Sequence, residues 1–346
     1  MSLNMEKIKK AFFILLGIFS ALVLMEMILH FTDKSSYDGF LYDNQTGLLL
    51  HKPETEVNMA STCFNNNARI NSFGFYGPEI STNKNPNQYL ILITGSSFVE
   101  SLQVPLIERF DTLLQNKLNQ NNSGKKYKVI SMGFAGNGTF LDMLYFKNYG
   151  AVLHPNLVIN LMTDYDLKID SPNSNHTSYF DEKGDALSEL PIIRRNPAKL
   201  AIQGMMRKSK LIMNLYYKYL TVKEVAKTDT NKEIASSSTE SLSWNTEDKL
   251  LKKFSEVVKD SGAKFLLTSW TEDIIPNRNF MKENLLPITQ KNKINYFDLT
   301  YNMDKIEREA GTKPTWACDG HWNKDGHTWV ANILFQYLKN NDSLLK

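Results

Sequence analysis

A chain of 346 residues, 42% hydrophobic and 22% charged, can bury one large core that carries insertions. Its 40 basic and 37 acidic residues nearly cancel, and no basic stripe interleaved with aromatics is present, which argues against a nucleic-acid partner. Two cysteines, Cys63 and Cys318, with no CxxC pair leave no zinc or dithiol motif, and no metal or cofactor is expected.

Lys7, Lys9 and Lys10 precede a run from Ala11 to Phe31 that is apolar to Met25 apart from Ser20, then carries Glu26 and His30. Such a run spans about 30 Å as a helix, with Glu26 toward its outer end. Lysines hold their end in the cytoplasm. Residues 1–10 are therefore expected as a cytoplasmic tail, 11–31 as a single-pass transmembrane anchor, and the rest as extracytoplasmic, periplasmic or at the cell surface. A cleaved signal peptide is the competing reading, although no A-x-A site follows. Outside the cytoplasm Cys63 and Cys318 either form a disulfide, bracing the loop at Asp319, or stay as two buried thiols.

Residues 32–85, rich in Asn, Ser, Thr and Gly, read as an extended lead-in. From residue 86 to 346 strands and helices alternate. Strands are expected at Tyr89–Ile93, Tyr127–Ser131, Leu157–Met162, Lys264–Thr268 and Ile294–Leu299, and helices at Val104–Leu118, Thr139–Tyr149, Asn245 or Thr246 to Ser261, and Asp325–Leu338. An insertion falls around 170–245. Within it, 195–224 read as helical, and Lys227–Ser243 as a mobile surface loop with few apolar residues. Alternation of this kind implies a parallel sheet covered on both faces, with its site beyond the carboxyl ends of the strands.

Four segments meet that edge. Ser97, in Gly95-Ser96-Ser97-Phe98-Val99-Glu100, stands where the first strand turns into a helix whose N–H groups can face an oxyanion. Gly-Ser-Ser alone is equally an ordinary capping turn. His321, in Asp319-Gly320-His321-Trp322-Asn323, is the candidate base for Ser97, and Asp319 the group that orients it. Asn323 is expected as a helix cap and Asp325 as a first-turn acid, which places His327 on the final helix and out of the chemistry. In the loop Gly133–Thr139, Gly136 or Asn137 could supply a donor. Thr163-Asp164-Tyr165-Asp166 follows the third strand.

These blocks resemble those of the SGNH/GDSL hydrolases. Gly95-Ser96-Ser97 resembles the nucleophile block, Gly133–Thr139 the second block with Gly136 at the donor glycine, and Asp319 to His327 the last block. Asn71-Ser72-Phe73-Gly74-Phe75-Tyr76-Gly77 is similar to a lead-in of membrane-anchored bacterial members. The resemblance covers about 70–170 and 260–340 and implies a flavodoxin-like three-layer α/β/α fold with a five-stranded, mainly parallel sheet. Three departures stand out. Ser96 replaces the usual Asp, no Asn-Asp pair stands in the third block, and the acid lies two residues before the histidine where many members have three. Tyr165 or Thr163 is the candidate replacement for the missing Asn, one oxyanion donor being worth about 10²–10³ in rate.

The resemblance implies an esterase or O-acyltransferase using Ser97, His321 and Asp319 on acyl, notably acetyl, esters of extracytoplasmic carbohydrate. The alternative it leaves open is a catalytically inactive module that binds glycan or a membrane protein partner.

Overall fold

The computed structural model describes residues 2–32, 39–83, 87–120, 124–171, 179–181, 183–190, 196–216, 218–219, 237–272 and 275–346. The chain falls into two compact units, residues 1–49 with 194–235, and 50–193 with 236–346. The expected lead-in is thus divided at residue 49, and 194–235 group with the N-terminal segment.

In the first unit, α1 (Ser2–Thr32) is a single helix. Its Met5–Thr32 stretch is long and apolar enough to cross a membrane, and none of its most apolar window is buried. A signal sequence passes the same test. The strand β1 (Phe40–Tyr42) follows.

The second unit holds the site. The strand β2 (Leu49–His51) leads into it, and β3 (Glu56–Ala60) pairs antiparallel with β4 (Asn65–Arg69). The lead-in is therefore a hairpin and a packed turn. Asn71 Oδ1 accepts the N–H groups of Phe73 and Phe75, while Phe75 and Tyr76 are buried. The Arg109 guanidinium lies 4.7 Å over the Tyr76 ring and donates to the Tyr76 carbonyl. The Asn-Ser-Phe-Gly-Phe-Tyr-Gly segment is thus accounted for by packing.

The main sheet has five strands, all parallel: β5 (Gln88–Gly95), β6 (Lys126–Gly133), β7 (Leu157–Thr163), β8 (Lys264–Trp270) and β9 (Asn295–Asp298), in the order β6-β5-β7-β8-β9. This is the flavodoxin-like order, the one the SGNH/GDSL resemblance implies. Every residue of β7 is buried, as a central strand covered on both faces requires. Alternate residues of β5 serve different faces. Tyr89, Ile91 and Ile93 join the core built with Leu114, Val330 and Leu334, whereas Leu92 faces Gly150.

The helix after β5 is one turn, α2 (Ser97–Glu100), ended by Ser101 at φ +55°. The helix expected from Val104 starts later, as α3 (Phe110–Gln120), after a 3₁₀ turn at Leu106–Glu108. The helices α4 (Thr139–Tyr145) and α5 (Asp164–Ile169) follow β6 and β7. In the insertion, α6 (Pro197–Arg207), which belongs to the first unit, begins on the Asn196 cap.

The expected loop 227–243 lies partly outside the described residues. Its last part is helical, because α7 (Ser237–Asp260) starts well before the expected cap at Asn245 or Thr246. A Ser/Thr-rich composition marked it as loop, yet the apolar half of the same helix, Leu250, Leu251, Phe254 and Val258, is fully buried and extends helical structure upstream. The helices α8 (Phe280–Lys291), α9 (Thr300–Ala310) and α10 (Lys324–Asn340) complete the unit.

Candidate active site

Strand β5 ends at Gly95, whose φ of +156° would crowd a side chain. A Cβ there would lie 2.5 Å from Val99 and 2.8 Å from the Leu161 carbonyl. Glycine therefore lets the chain turn sharply, and Ser97 emerges as the first residue of α2. The Ser96 side chain makes no capping bond; it is buried, and the Ser96 carbonyl accepts the Val99 and Glu100 N–H groups.

Asp319 and His321 lie on a tight loop before α10. The Asp319 and Gly320 N–H groups both donate to the Trp316 carbonyl, and Trp316 N–H donates to the His321 carbonyl. Asn323 fixes this loop to the helix. Its Nδ2 donates to the carbonyls of Lys313 and Thr315, while its Oδ1 accepts the Gly326 N–H at 3.0 Å, the expected cap. The disulfide between Cys63 and Cys318 ties the same loop to the β3–β4 turn.

His321 Nε2 stands 2.8 Å from Ser97 Oγ, and His321 Nδ1 hydrogen-bonds Asp319 Oδ1. The His321 backbone N–H also donates to Asp319 Oδ1 at 3.2 Å. A two-residue spacing thus suffices, because the turn folds the carboxylate back under the ring. Phe98 lies 4.9 Å from the His321 ring, and the buried Trp270 and Trp322 pack against Phe98 from below. A neutral imidazole donating to Asp319 presents its other nitrogen to Ser97 as an acceptor, so this geometry can withdraw the hydroxyl proton.

Ser97, His321, Asp319, Gly136 and Tyr165 line one cavity of 370 Å³. It opens between the carboxyl ends of β5 and β7, the point where the strand order reverses. Gly136 has φ +81°, a conformation that favours glycine. Among the described residues neither its N–H nor that of Ser97 has a hydrogen-bond partner within the protein.

Asn137 is placed differently from the expectation of a cavity donor. It is buried, its Nδ2 donates to Asp142 Oδ1 at 3.1 Å, and its N–H donates to the Phe134 carbonyl. Thr163 is committed to capping α5: its Oγ1 donates to Asp166 Oδ2 and accepts the Tyr165 N–H. Tyr165 is partly exposed on the cavity wall. No asparagine lines the cavity among the described residues. His327 is buried, stacks on Phe110, and accepts the Phe110 N–H at 3.4 Å; burial holds it far below the ordinary histidine range, at about 3, so it is neutral and structural.

Several contributors have no sequence signal. Glu100, buried at the end of α2, lies 2.5 Å from His51 through one oxygen and accepts the Ala135 N–H at 3.2 Å through the other. It thereby joins the serine turn to the loop of Gly136. Glu272 stands on the cavity wall, its N–H held by Asp164.

Behind that loop lie four buried carboxyls, Asp142, Asp166, Asp170 and Glu247. Asp142 accepts from both Asn137 and Asn160. Burial pushes Asp142 up to about 8 and Asp170 to about 7, and burial followed by the neighbouring acids holds Asp166 and Glu247 well above their usual range.

Fold and site together define a three-layer α/β protein with a serine in hydrogen-bond contact with a histidine at the switch point of its sheet. No protein-family model and no curated protein matches the chain. Among solved structures it is similar to the acetyl xylan esterase AlAXEase, at 13% identity over 72% of this chain and 99% of that one, with a TM-score of 0.43. It is also similar to a protein of Parabacteroides merdae described as a GDSL-like lipase (12% identity, 74% and 98% covered, TM-score 0.43). A two-domain esterase active on acetylated mannans aligns over 49% of its own length and 73% of this chain, at 12% identity and a TM-score of 0.42. The fold assignment rests on the strand order itself.

Proposed function

We propose that this chain is a membrane-anchored serine esterase or O-acyltransferase of the SGNH type, acting on acyl, chiefly acetyl, esters of extracytoplasmic carbohydrate. The observation that carries the reading is the 2.8 Å contact between Ser97 Oγ and His321 Nε2, with His321 Nδ1 held by Asp319.

His321 takes the Ser97 proton as Oγ attacks the ester carbonyl. The N–H groups of Ser97 and Gly136 receive the charge that develops on the carbonyl oxygen. Collapse expels the alcohol, which takes the proton from His321 and leaves an acyl-serine. His321 then deprotonates water, or a sugar hydroxyl, which attacks the acyl-serine and frees Ser97. Hydrolysis and transfer use the same residues and differ only in the second acceptor. The lysine flank of residues 1–10, the apolar helix and a disulfide all suit an anchored domain outside the cytoplasm.

A fluorophosphonate probe on the detergent-solubilised full chain tests the serine. Labelling of the native chain and its loss in Ser97→Ala are expected. Equal labelling of the two, or none of either, would overturn the enzyme reading. Release of acetate from acetylated polysaccharide then tests the substrate class.

A further inference from the structure

The segment from Pro197 to Tyr219 carries five basic residues, Lys199, Arg207, Lys208, Lys210 and Lys218, and no acidic one, in a chain with 37 Asp and Glu. The helix α6 occupies its first half, and residues 210–216 and 218–219 are helical after a break at Lys208 and Ser209. In the second helix Ile212, Leu215, Tyr216 and Tyr219 recur at i, i+3, i+4 and i+7 and so form one stripe. All four are exposed, as are Ile202 and Met205 on α6. Leu200 and Met213 take the buried positions instead.

The second helix is fastened to α1. Glu26 accepts hydrogen bonds from Ser209 Oγ at 2.8 Å and from the N–H groups of Lys210 and Leu211 at 2.8 and 2.9 Å. These donors are the free amide groups of a helix start, which suit a carboxylate. They also give Glu26, the one acidic residue of the apolar run, its partners. Arg207 stands 5.5 Å over the rings of Phe40 and Tyr42, holding α6 to the chain that follows α1. Glu26 lies six residues before Thr32, about 9 Å along the helix axis from its end. With α1 spanning a bilayer, the exposed stripe starts about 9 Å inside the end of that helix.

We infer that residues 197–219 form an interfacial helical hairpin whose apolar stripe is covered by lipid of the outer leaflet, with its lysines and arginine at anionic headgroups. Apolar side chains with tyrosines on one face of a segment whose charged residues are all basic are the composition of a helix lying in a bilayer surface. The hairpin adds a second membrane contact to the anchor and rests on the reading of α1 as spanning the bilayer.

The test uses the full chain in nanodiscs containing phosphatidylglycerol. Cys63 and Cys318 are paired, so an introduced cysteine is the only free thiol. An environment-sensitive fluorophore is placed singly at Ile212→Cys, Leu215→Cys and Tyr219→Cys, at Lys218→Cys off the stripe, and at Phe19→Cys within α1. Brominated-chain lipids should quench the three stripe positions by roughly half, and Lys218→Cys far less. Quenching at Phe19→Cys without quenching on the stripe overturns the hairpin and leaves the anchor; a protein partner or second copy covering the stripe gives this result. Absence of quenching at Phe19→Cys overturns the anchor and the hairpin together. Equal quenching on and off the stripe overturns the proposed orientation.

Discussion

His51 Nε2 lies 2.5 Å from Glu100 Oε1, joining the entry to the α/β unit with the turn that carries Ser97. Glu100 Oε2 simultaneously accepts the Ala135 N–H, so one buried carboxylate positions both the serine and the loop of Gly136. Glu100→Ala leaves His51 and the Ala135 N–H without this partner, a loss of about 1–3 kcal/mol in stability. It should also slow fluorophosphonate labelling at temperatures where the fold persists. Glu100→Gln, which retains one acceptor, should recover part of the labelling rate. Denaturant unfolding and labelling kinetics check this, and unaltered labelling in Glu100→Ala would remove the positioning role.

Asp319→Asn retains the shape of the loop but turns an amide donor toward His321 Nδ1. The ring is then biased to the tautomer whose Nε2 carries the proton and can no longer accept from Ser97. The rate of ester hydrolysis should fall on the order of 10²–10⁴-fold with KM little changed. A chromogenic acetyl ester suffices to measure it. A loss below about 3-fold would mean that Asp319 does not orient the base.

The disulfide closes a long loop and secures the segment that bears Asp319. Replacing Cys63 and Cys318 together by serine should cost about 2–5 kcal/mol. Reductant should lower the thermal midpoint of the native chain and leave that of the double variant unchanged. Activity below the melting transition should fall as well, because Cys318 adjoins Asp319.

Burial gives the acid cluster a pH signature. Asp142, Asp170, Asp166 and Glu247 hold protons more tightly in the fold than in the unfolded chain, where carboxyls titrate near 4. Their contribution to stability is complete below that value and is lost as pH rises through the folded values, about 7 and 8 for Asp170 and Asp142. Glu247→Gln retains volume and removes one such proton. The fall in melting temperature between pH 5 and pH 8 should therefore be smaller in the variant. An identical fall in both would show that Glu247 does not take up a proton on folding.

Most of the fold was legible because it is written locally. The apolar runs at Ile91–Ile93, Leu157–Met162 and Phe265–Leu267 are strands buried on both faces, and residues between them carry helical periodicity. Asn323 announced the start of α10 as a cap. The same local logic misread 237–243, where a polar composition gave no hint that the buried helix downstream would extend through it. It also treated Val104–Leu118 as one helix. Instead a 3₁₀ turn precedes the start of α3, where Arg109 reaches back to Tyr76 and pairs with Asp111.

The sequence by itself determined the inventory: a serine after a glycine at a strand end, an Asp-x-His near the C-terminus, an apolar N-terminal run and a helical stretch at 195–224. Residue types and short spacings are local properties, so they can be read one segment at a time. Only the tertiary structure decided that Ser97 and His321, 224 residues apart, stand in hydrogen-bond contact, that Asn137 turns inward to Asp142, and that Glu100 and His51 meet. Those outcomes depend on sheet order and on which side chains lose their water, and burial of this kind is set by the packed whole.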